Sequence, residues 1–284
     1  STGATGTAGP TGSTGATGAK GDTGTKGDTG AAPELWISDW RRNNYTLSNS
    51  LGLTYKDENK QLVTLASNEW GIHGMVYAEG YIFAATVGLS PAYPKTLRFN
   101  PDDLNDYDVI SWQEDSSHTS SMDIVYAPSK GKIYQAFRTL EGSGGVVIEE
   151  IDPATLSNSQ VVYETSGTLA EGNWSMCTDD TYIYFARNTY DSPIYRYALS
   201  DWSKTTYGLT DWDGAHAIRY DGTNLYVTGT TSPGWIVRVN PSDMSYSGQT
   251  FASGDNVPTD DFALVGDYAW VGLETTDGVV LRIK

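Results

Sequence analysis

Glycine occupies every third position from Gly3 to Gly30 without a break, in the run STGATGTAGPTGSTGATGAKGDTGTKGDTG. Only one polymer conformation demands that period: three extended, left-handed chains wound about an axis too crowded for any side chain larger than hydrogen. The period sets an expected oligomeric state before any function is argued, a homotrimer or one third of a closely related heterotrimer. From Ala31 onward the period is gone.

Within the rod, Lys20 and Lys26 close their triplets, and each is followed after one glycine by an aspartate, Asp22 or Asp28. That spacing lets lysine reach the aspartate of a neighbouring chain, an interchain pair standing in for the stiffness that proline would give. Only Pro10 supplies any. The rod is about 90 Å long at about 3 Å per residue and is expected to rely on a globular trimeriser at its carboxyl end. The threonine-rich, proline-poor triplets resemble the collagen-like stalks of bacteriophage fibres and bacterial surface proteins more than animal collagens.

Formal net charge is -17, and the rod contributes none of it, because Lys20 and Lys26 cancel Asp22 and Asp28. The head is therefore strongly acidic. Such a surface repels phosphate backbones and anionic lipids, so neither nucleic acid nor a membrane is an expected partner; cations or neutral glycans suit it better, and solubility alone also accounts for it. The single cysteine, Cys177, excludes an intrachain disulfide framework and, beside Ser175 and Met176, reads as a buried strand thiol. No run of about 18 apolar residues is present to span a bilayer. The sequence starts at Ser1 inside the repeat, as expected of a processed piece whose virion or cell-surface anchor lies upstream.

Beyond the rod a pattern recurs. An apolar pair, an acidic or glycine turn and an apolar-aromatic strand appear at Met75–Tyr77 and Ile82–Phe83, then at Ile124–Tyr126 and Ile133–Tyr134, Met176–Cys177 and Ile183–Tyr184, Ile218–Tyr220 and Leu225–Tyr226, and Leu264–Val265 and Ala269–Trp270. A further strand follows each, ending three times in Asn-Pro or Asp-Pro (Asn100-Pro101, Asp152-Pro153, Asn240-Pro241), dipeptides that stop a strand in a turn. Apolar and polar residues alternate with the strand period. Fourth strands follow, such as Val109–Trp112 and Val161–Tyr163. A period in the forties with several short strands per unit is that of a β-propeller with one four-stranded sheet per repeat.

The expected fold is thus all-β: a propeller of five four-stranded blades, with six as the alternative, behind a collagen triple-helix stalk. Residues 1–30 form the stalk, 31–58 a neck carrying Trp36 and Trp40, and 59–284 the head. The last repeat lacks a fourth strand, and Gln61–Leu65 is the candidate to supply it and close the ring without a free edge; Leu35 to Tyr55 is the candidate for a partial sixth blade. The Arg-apolar-Asn-Pro hairpin resembles propellers of the lactonase, lyase and repeat-scaffold kind, which implies a fold and not a reaction.

Ligands of propellers commonly lie at a mouth of the central channel, near the starts of the innermost strands. Aligning the repeats there groups His73, Asp123, Trp174, His216 and Asp260 or Asp261, a set able to hold a divalent cation, act as an acid-base pair or simply hydrate a channel. No other cofactor is expected. A second constellation is aromatic: Tyr93, Trp202, Tyr207, Trp212, Trp235 and Tyr246 fall in turns or loops, where flat apolar faces beside Asp and Asn would suit a sugar. Blade-rim packing is the alternative for each. No phosphate-binding glycine loop, metal-spaced cysteines or serine nucleophile elbow appears.

A trimeric rod carrying three heads suits an extracellular attachment device, because linkage of three weak sites multiplies affinity. The expected role is a virion spike or fibre that binds a host-cell surface glycan or protein receptor. A bacterial cell-surface or spore-coat adhesin and a polysaccharide-degrading enzyme are the alternatives.

Overall fold

The computed structural model describes residues 69–88, 93–112, 118, 120–139, 145–164, 175–187, 194–229, 231, 233–251, 258–265, 268–273 and 279–283, with backbone alone at 69–70, 87–88, 104–105, 258–261, 273 and 279–281. The Gly-X-Y rod with Lys20, Asp22, Lys26 and Asp28, the neck, and Gln61–Leu65 lie outside the described residues.

Five antiparallel sheets follow one another along the chain. Blade 1 holds β1 (Glu69–Ala78), β2 (Tyr81–Gly88), β3 (Lys95–Asn100) and β4 (Asp103–Ser111), and blade 2 holds β5 (Ser120–Ala127), β6 (Lys132–Thr139), β7 (Gly145–Ile151) and β8 (Asn158–Glu164). Blade 3 is β9 (Ser175–Thr178), β10 (Tyr182–Ala186), β11 (Ile194–Ala198) and β12 (Lys204–Tyr207); blade 4 is β13 (Ala215–Tyr220), β14 (Leu225–Gly229), β15 (Trp235–Val239) and β16 (Tyr246–Thr250). Blade 5 has β17 (Pro258–Val265), β18 (Tyr268–Leu273) and β19 (Val279–Ile283). Strand order within each sheet is sequence order, and β1, β5, β9, β13 and β17 neighbour one another in succession. There is no helix among the described residues. The head is a five-bladed β-propeller, with four blades of four strands and, among the described residues, a fifth of three.

Side chains standing alternately on the two faces of each blade pack into the seams between blades. Ile124 and Ile133 of blade 2 join Phe83 and Ala85 of blade 1; Met122 and Tyr134 join Met176 and Phe185 across the next seam; Tyr184 and Cys177 join Ile218 and Val227 across the third. Phe262 and Val271 of blade 5 join Ala217 and Ile236 of blade 4. Each large side chain so buried contributes about 1.5–3 kcal/mol, so the blades are held by their neighbours. Cys177 belongs to this packing as a buried free thiol, its ionisation pushed up by burial.

The acidic turns have a local cause. Asp179 Oδ1 accepts the amides of Thr181 and Tyr182 at 2.9 and 2.7 Å, and Asp221 Oδ1 those of Thr223 and Asn224, both at 2.7 Å, as Asx turns do. At the same end of the blades, between the third and fourth strands, one hairpin is built three times. The amides of Leu156, Trp202 and Met244 donate to the carbonyls of Asp152, Ala198 and Asn240 at 2.9, 2.8 and 2.8 Å, and all three residues sit at φ 60°. That left-handed conformation is costly for a bulky side chain, but it turns Leu156, Trp202 and Met244 back onto the seam cores.

Candidate functional site

At the starts of the innermost strands the ladder is interrupted in every blade whose register covers the position: register shifts separate Ile72 from Gly74, Ser121 from Asp123, and Ala215 from Ala217. Each shift marks a β-bulge that re-aims the side chain beside it. His73, Met122 and His216 are the bulged residues, whereas Asp123 is equivalent to Gly74 and Ala217. The expected grouping of His73, Asp123 and His216 was therefore one residue out at Asp123, because a bulge displaces register in a way that the strand period does not reveal.

The polar groups at this end brace one blade to the next. His73 Nδ1 donates to Ser121 O at 2.8 Å. Asp123, 5% exposed, accepts the Ile124 amide on Oδ1 and the Met176 amide on Oδ2, each at 2.8 Å. Ser175 Oγ accepts the Ile218 amide at 3.2 Å and Arg219 Nη1 at 2.8 Å, and Arg219 Nη1 stands 3.8 Å from Asp123 Oδ2. His216 is buried within the start of β13. Trp174 lies outside the described residues, and Asp260 and Asp261 are described in backbone alone. Among the described residues no group of three or more His, Cys, Asp or Glu could hold a metal ion.

Of the aromatics expected in turns or loops, Tyr207 ends β12, Trp235 opens β15 and Tyr246 opens β16, and Tyr246, at 38%, is the one exposed residue of the six among those described. Trp235 is buried at 2%, its indole donating to Asp213 O at 2.9 Å and meeting Trp212 edge-on; it is a core residue and not a sugar platform. Trp212 and Tyr207 pack against the same cluster, and Trp202 meets Tyr134 edge-on with centroids 5.3 Å apart. Tyr207 also receives a hydrogen bond from Arg196 Nη2 at 2.6 Å. Tyr93 is half-buried. Trp202, Tyr207, Trp212 and Trp235 thus pack against the seam cores.

Sequence reasoning missed a groove of about 530 Å³ at the seam of blades 4 and 5. Ile236, Leu264, Ala269 and Ile283 line it with apolar surface, and Asp221, Tyr226, Arg238, Ser247, Gln249 and Tyr268 supply rings and polar heads. Burial and the Asp221 carboxylate hold the Tyr226 hydroxyl above the usual phenol range. The signal was in the repeats: Arg98, Arg196, Arg238 and Arg282 share one third-strand position, paired with Phe83, Tyr184, Tyr226 and Trp270. In blade 1 that arginine donates to Pro153 O and Ala154 O of the next blade's turn at 3.0 and 2.7 Å; in blade 3 it reaches Pro241 O at 3.3 Å. Arg238 instead lines the groove.

Fold and site together define an acidic, five-bladed β-propeller with an open inter-blade groove. No family model matches the chain, and no curated protein matches it either. Among solved structures it resembles a nidogen/laminin complex (TM-score 0.55, 12% identity, 75% of this chain and 76% of that one), the WD40 repeats of RRP9 (0.56, 11%, 75% and 59%) and U3-55K (0.57, 12%, 78% and 63%). Identities this low carry the fold alone.

Proposed function

We propose that this chain is a homotrimeric virion spike or fibre, carried outside the cell on an upstream anchor, whose propeller heads bind a host-cell surface receptor, a glycan. The observation that carries the binding half of this reading is the groove between blades 4 and 5. It sets the rings of Tyr226 and Tyr268 beside the polar heads of Asp221, Arg238, Ser247 and Gln249, the pairing of apolar face with directed hydrogen bonds that a sugar ring needs. The glycine period supports the trimeric half, and three linked heads turn a weak groove into firm attachment. The enzyme reading is weaker, because both oxygens of Asp123 are committed to backbone amides and leave no free base there.

Sedimentation equilibrium of the full chain is expected to give about three times 30.8 kDa; a monomer at all concentrations refutes the trimer. A glycan array probed with the full chain is expected to give a defined set of ligands that is lost in Tyr268→Ala and Gln249→Ala, while Tyr246→Ala, outside the groove lining, keeps it. Binding to no glycan, or binding indifferent to both groove substitutions, overturns the site. Soluble trimer that fails at saturating dose to block virus attachment to a glycan-positive host, while blocking adhesion of a bacterium, turns the assignment to a bacterial adhesin.

A further inference from the structure

The third-strand arginine shared by four blades shows, at two seams, which chemical group its side chain holds. Arg98 Nη1 donates to Pro153 O and Ala154 O at 3.0 and 2.7 Å, and Arg196 Nη1 to Pro241 O at 3.3 Å. Each acceptor is a peptide carbonyl on the turn that follows the third strand of the next blade. The other donors of these two arginines also have partners. Arg98 Nε and Nη2 donate to Asp108, which stands opposite in β4, and Arg196 Nη2 donates to the Tyr207 hydroxyl at 2.6 Å. Both guanidiniums lie over aromatic rings, those of Tyr81 and Tyr182.

Arg238 keeps the position but turns to the groove between blades 4 and 5. It is exposed where Arg98 and Arg196 are half-buried, and the uncharged Ser247 stands opposite it in β16. Its guanidinium lies beside the Tyr226 hydroxyl, and the blade 5 wall before it is made of Leu264, Tyr268, Ala269 and Ile283. A guanidinium carries five N–H donors, so the fork keeps donors for a ligand in the groove. Two features narrow the acceptor that it takes. The wall beside it is apolar, with Ile236 and Ala269 only 6% and 5% exposed. The Asp221 carboxylate, fixed through Oδ1 by the amides of Thr223 and Asn224, adds its charge to a head of net charge -17, which disfavours an anionic ligand.

We propose that the groove takes the acetamido group of an uncharged N-acetylated amino sugar, its carbonyl oxygen on the Arg238 guanidinium and its methyl group on the apolar wall of Ile236, Leu264, Ala269 and Ile283. This inference rests on the glycan reading of the groove and adds the class of sugar. The ligand amide stands at this seam where a peptide carbonyl stands at two others, so the same side chain recognises the same chemical group. Ser247 and Gln249 supply acceptors for the amide N–H, and Tyr268 a flat face for the pyranose ring. A hydroxyl in place of the acetamido group leaves the apolar wall uncovered. A free amine sets a second cation against Arg238, and a carboxylate meets the charge of Asp221.

The test uses the full chain on a glycan array that pairs chitotriose with cellotriose and N-acetylgalactosamine oligosaccharides with those of galactose, with polygalacturonate beside them. The half-maximal concentration is measured for each. An N-acetylated member is expected to bind at least about tenfold more tightly than its hydroxyl counterpart, the worth of one hydrogen bond to a charged group, and polygalacturonate is expected not to bind. Arg238→Met keeps an apolar stem and loses every donor; it is expected to abolish the preference, while Tyr246→Ala keeps it. A preference unchanged in Arg238→Met overturns the proposal. Equal or reversed binding within both pairs, or binding confined to glycans without an acetamido group, also overturns it, and where that binding is lost in Tyr268→Ala the groove itself still stands as a glycan site. Binding to no glycan at all overturns the groove reading and this inference together. If Arg238→Met unfolds, Arg238→Lys decides, because it keeps the charge without the fork: a reduced preference supports the proposal and an undiminished one overturns it.

Discussion

The carboxylate of Asp123 in blade 2 accepts the backbone amide of Met176 in blade 3 at 2.8 Å while its other oxygen takes the amide of Ile124. One side chain thus satisfies two buried donors and ties the innermost strands of adjacent blades. Asp123→Ala leaves both amides unpaired in a site only 5% exposed and is expected to cost about 2–6 kcal/mol, given about 1–3 kcal/mol for each buried unsatisfied group. Asp123→Asn keeps one acceptor and should cost about half as much. Urea denaturation of the two variants checks the order; equal stability of Asp123→Ala and the parent refutes the brace.

Gly74 is the partner that makes room for that carboxylate. A Cβ at this position would stand 2.2 Å from Asp123 Oδ1, far inside contact distance. Gly74→Ala is expected to destabilise the head by about 1–3 kcal/mol through overpacking. In the Asp123→Ala background the carboxylate clash is gone and the contacts with Ile124 N and Cγ2 at 3.1 and 3.2 Å remain, so the second substitution should cost less than in the parent, a coupling of about 1–2 kcal/mol in a double-mutant cycle. Additive effects would show that the two positions do not sense each other.

The repeats were legible because period-two alternation and Asn-Pro or Asp-Pro stops are local signals: β2, β6, β10, β14 and β18 contain the expected apolar-aromatic strands, and β3, β7 and β15 end at or one residue before the expected dipeptides. What was not legible depends on contacts between blades. The bulges at His73, Met122 and His216 change which side chains share a level, and nothing in a single strand's composition announces them. Likewise Trp235 looked like a loop aromatic because it opens β15, and Trp212 because it precedes β13, yet both pack into the core shared by blades 3 and 4. The buried pair of His118 Nε2 and Glu149 Oε1, 3.1 Å apart beneath Trp112, joins residues 31 apart and had no sequence signal at all.

Trp202 offers a test of the thrice-built hairpin. Its ring meets Tyr134 edge-on, an arrangement that contributes about 0.5–1.5 kcal/mol beyond burial, but its backbone sits at φ 60°, where a side chain costs about 1–2 kcal/mol relative to glycine. Both Trp202→Ala and Trp202→Gly lose the ring contact. Glycine alone relieves the backbone, so Trp202→Gly is expected to be the more stable of the two by about 1 kcal/mol, the reverse of the order in ordinary strand positions. Thermal denaturation of the pair reads this directly, and an alanine variant more stable than the glycine one would mean that the turn is not held left-handed in solution.

Alkaline pH should unfold the head through three tyrosines at the seams. Tyr134, Tyr184 and Tyr197 are at most 2% exposed, and their hydroxyls donate to Glu150, Asp179 and Glu164 at 3.1, 2.7 and 3.2 Å. Burial first, and the adjoining carboxylates after it, raise all three ionisations above the usual phenol value. The unfolded chain releases these protons near pH 10 while the folded head holds them. Their contribution is therefore fully present below about pH 10 and is lost as pH rises toward the folded values, by about 1.4 kcal/mol per pH unit for each tyrosine. Urea midpoints measured from pH 8 to about 11.5 are expected to stay level and then fall steeply above about pH 10, with Tyr184→Phe removing about one third of the slope. A midpoint that holds level across that range would show that the phenols ionise as easily in the folded head as in the unfolded chain.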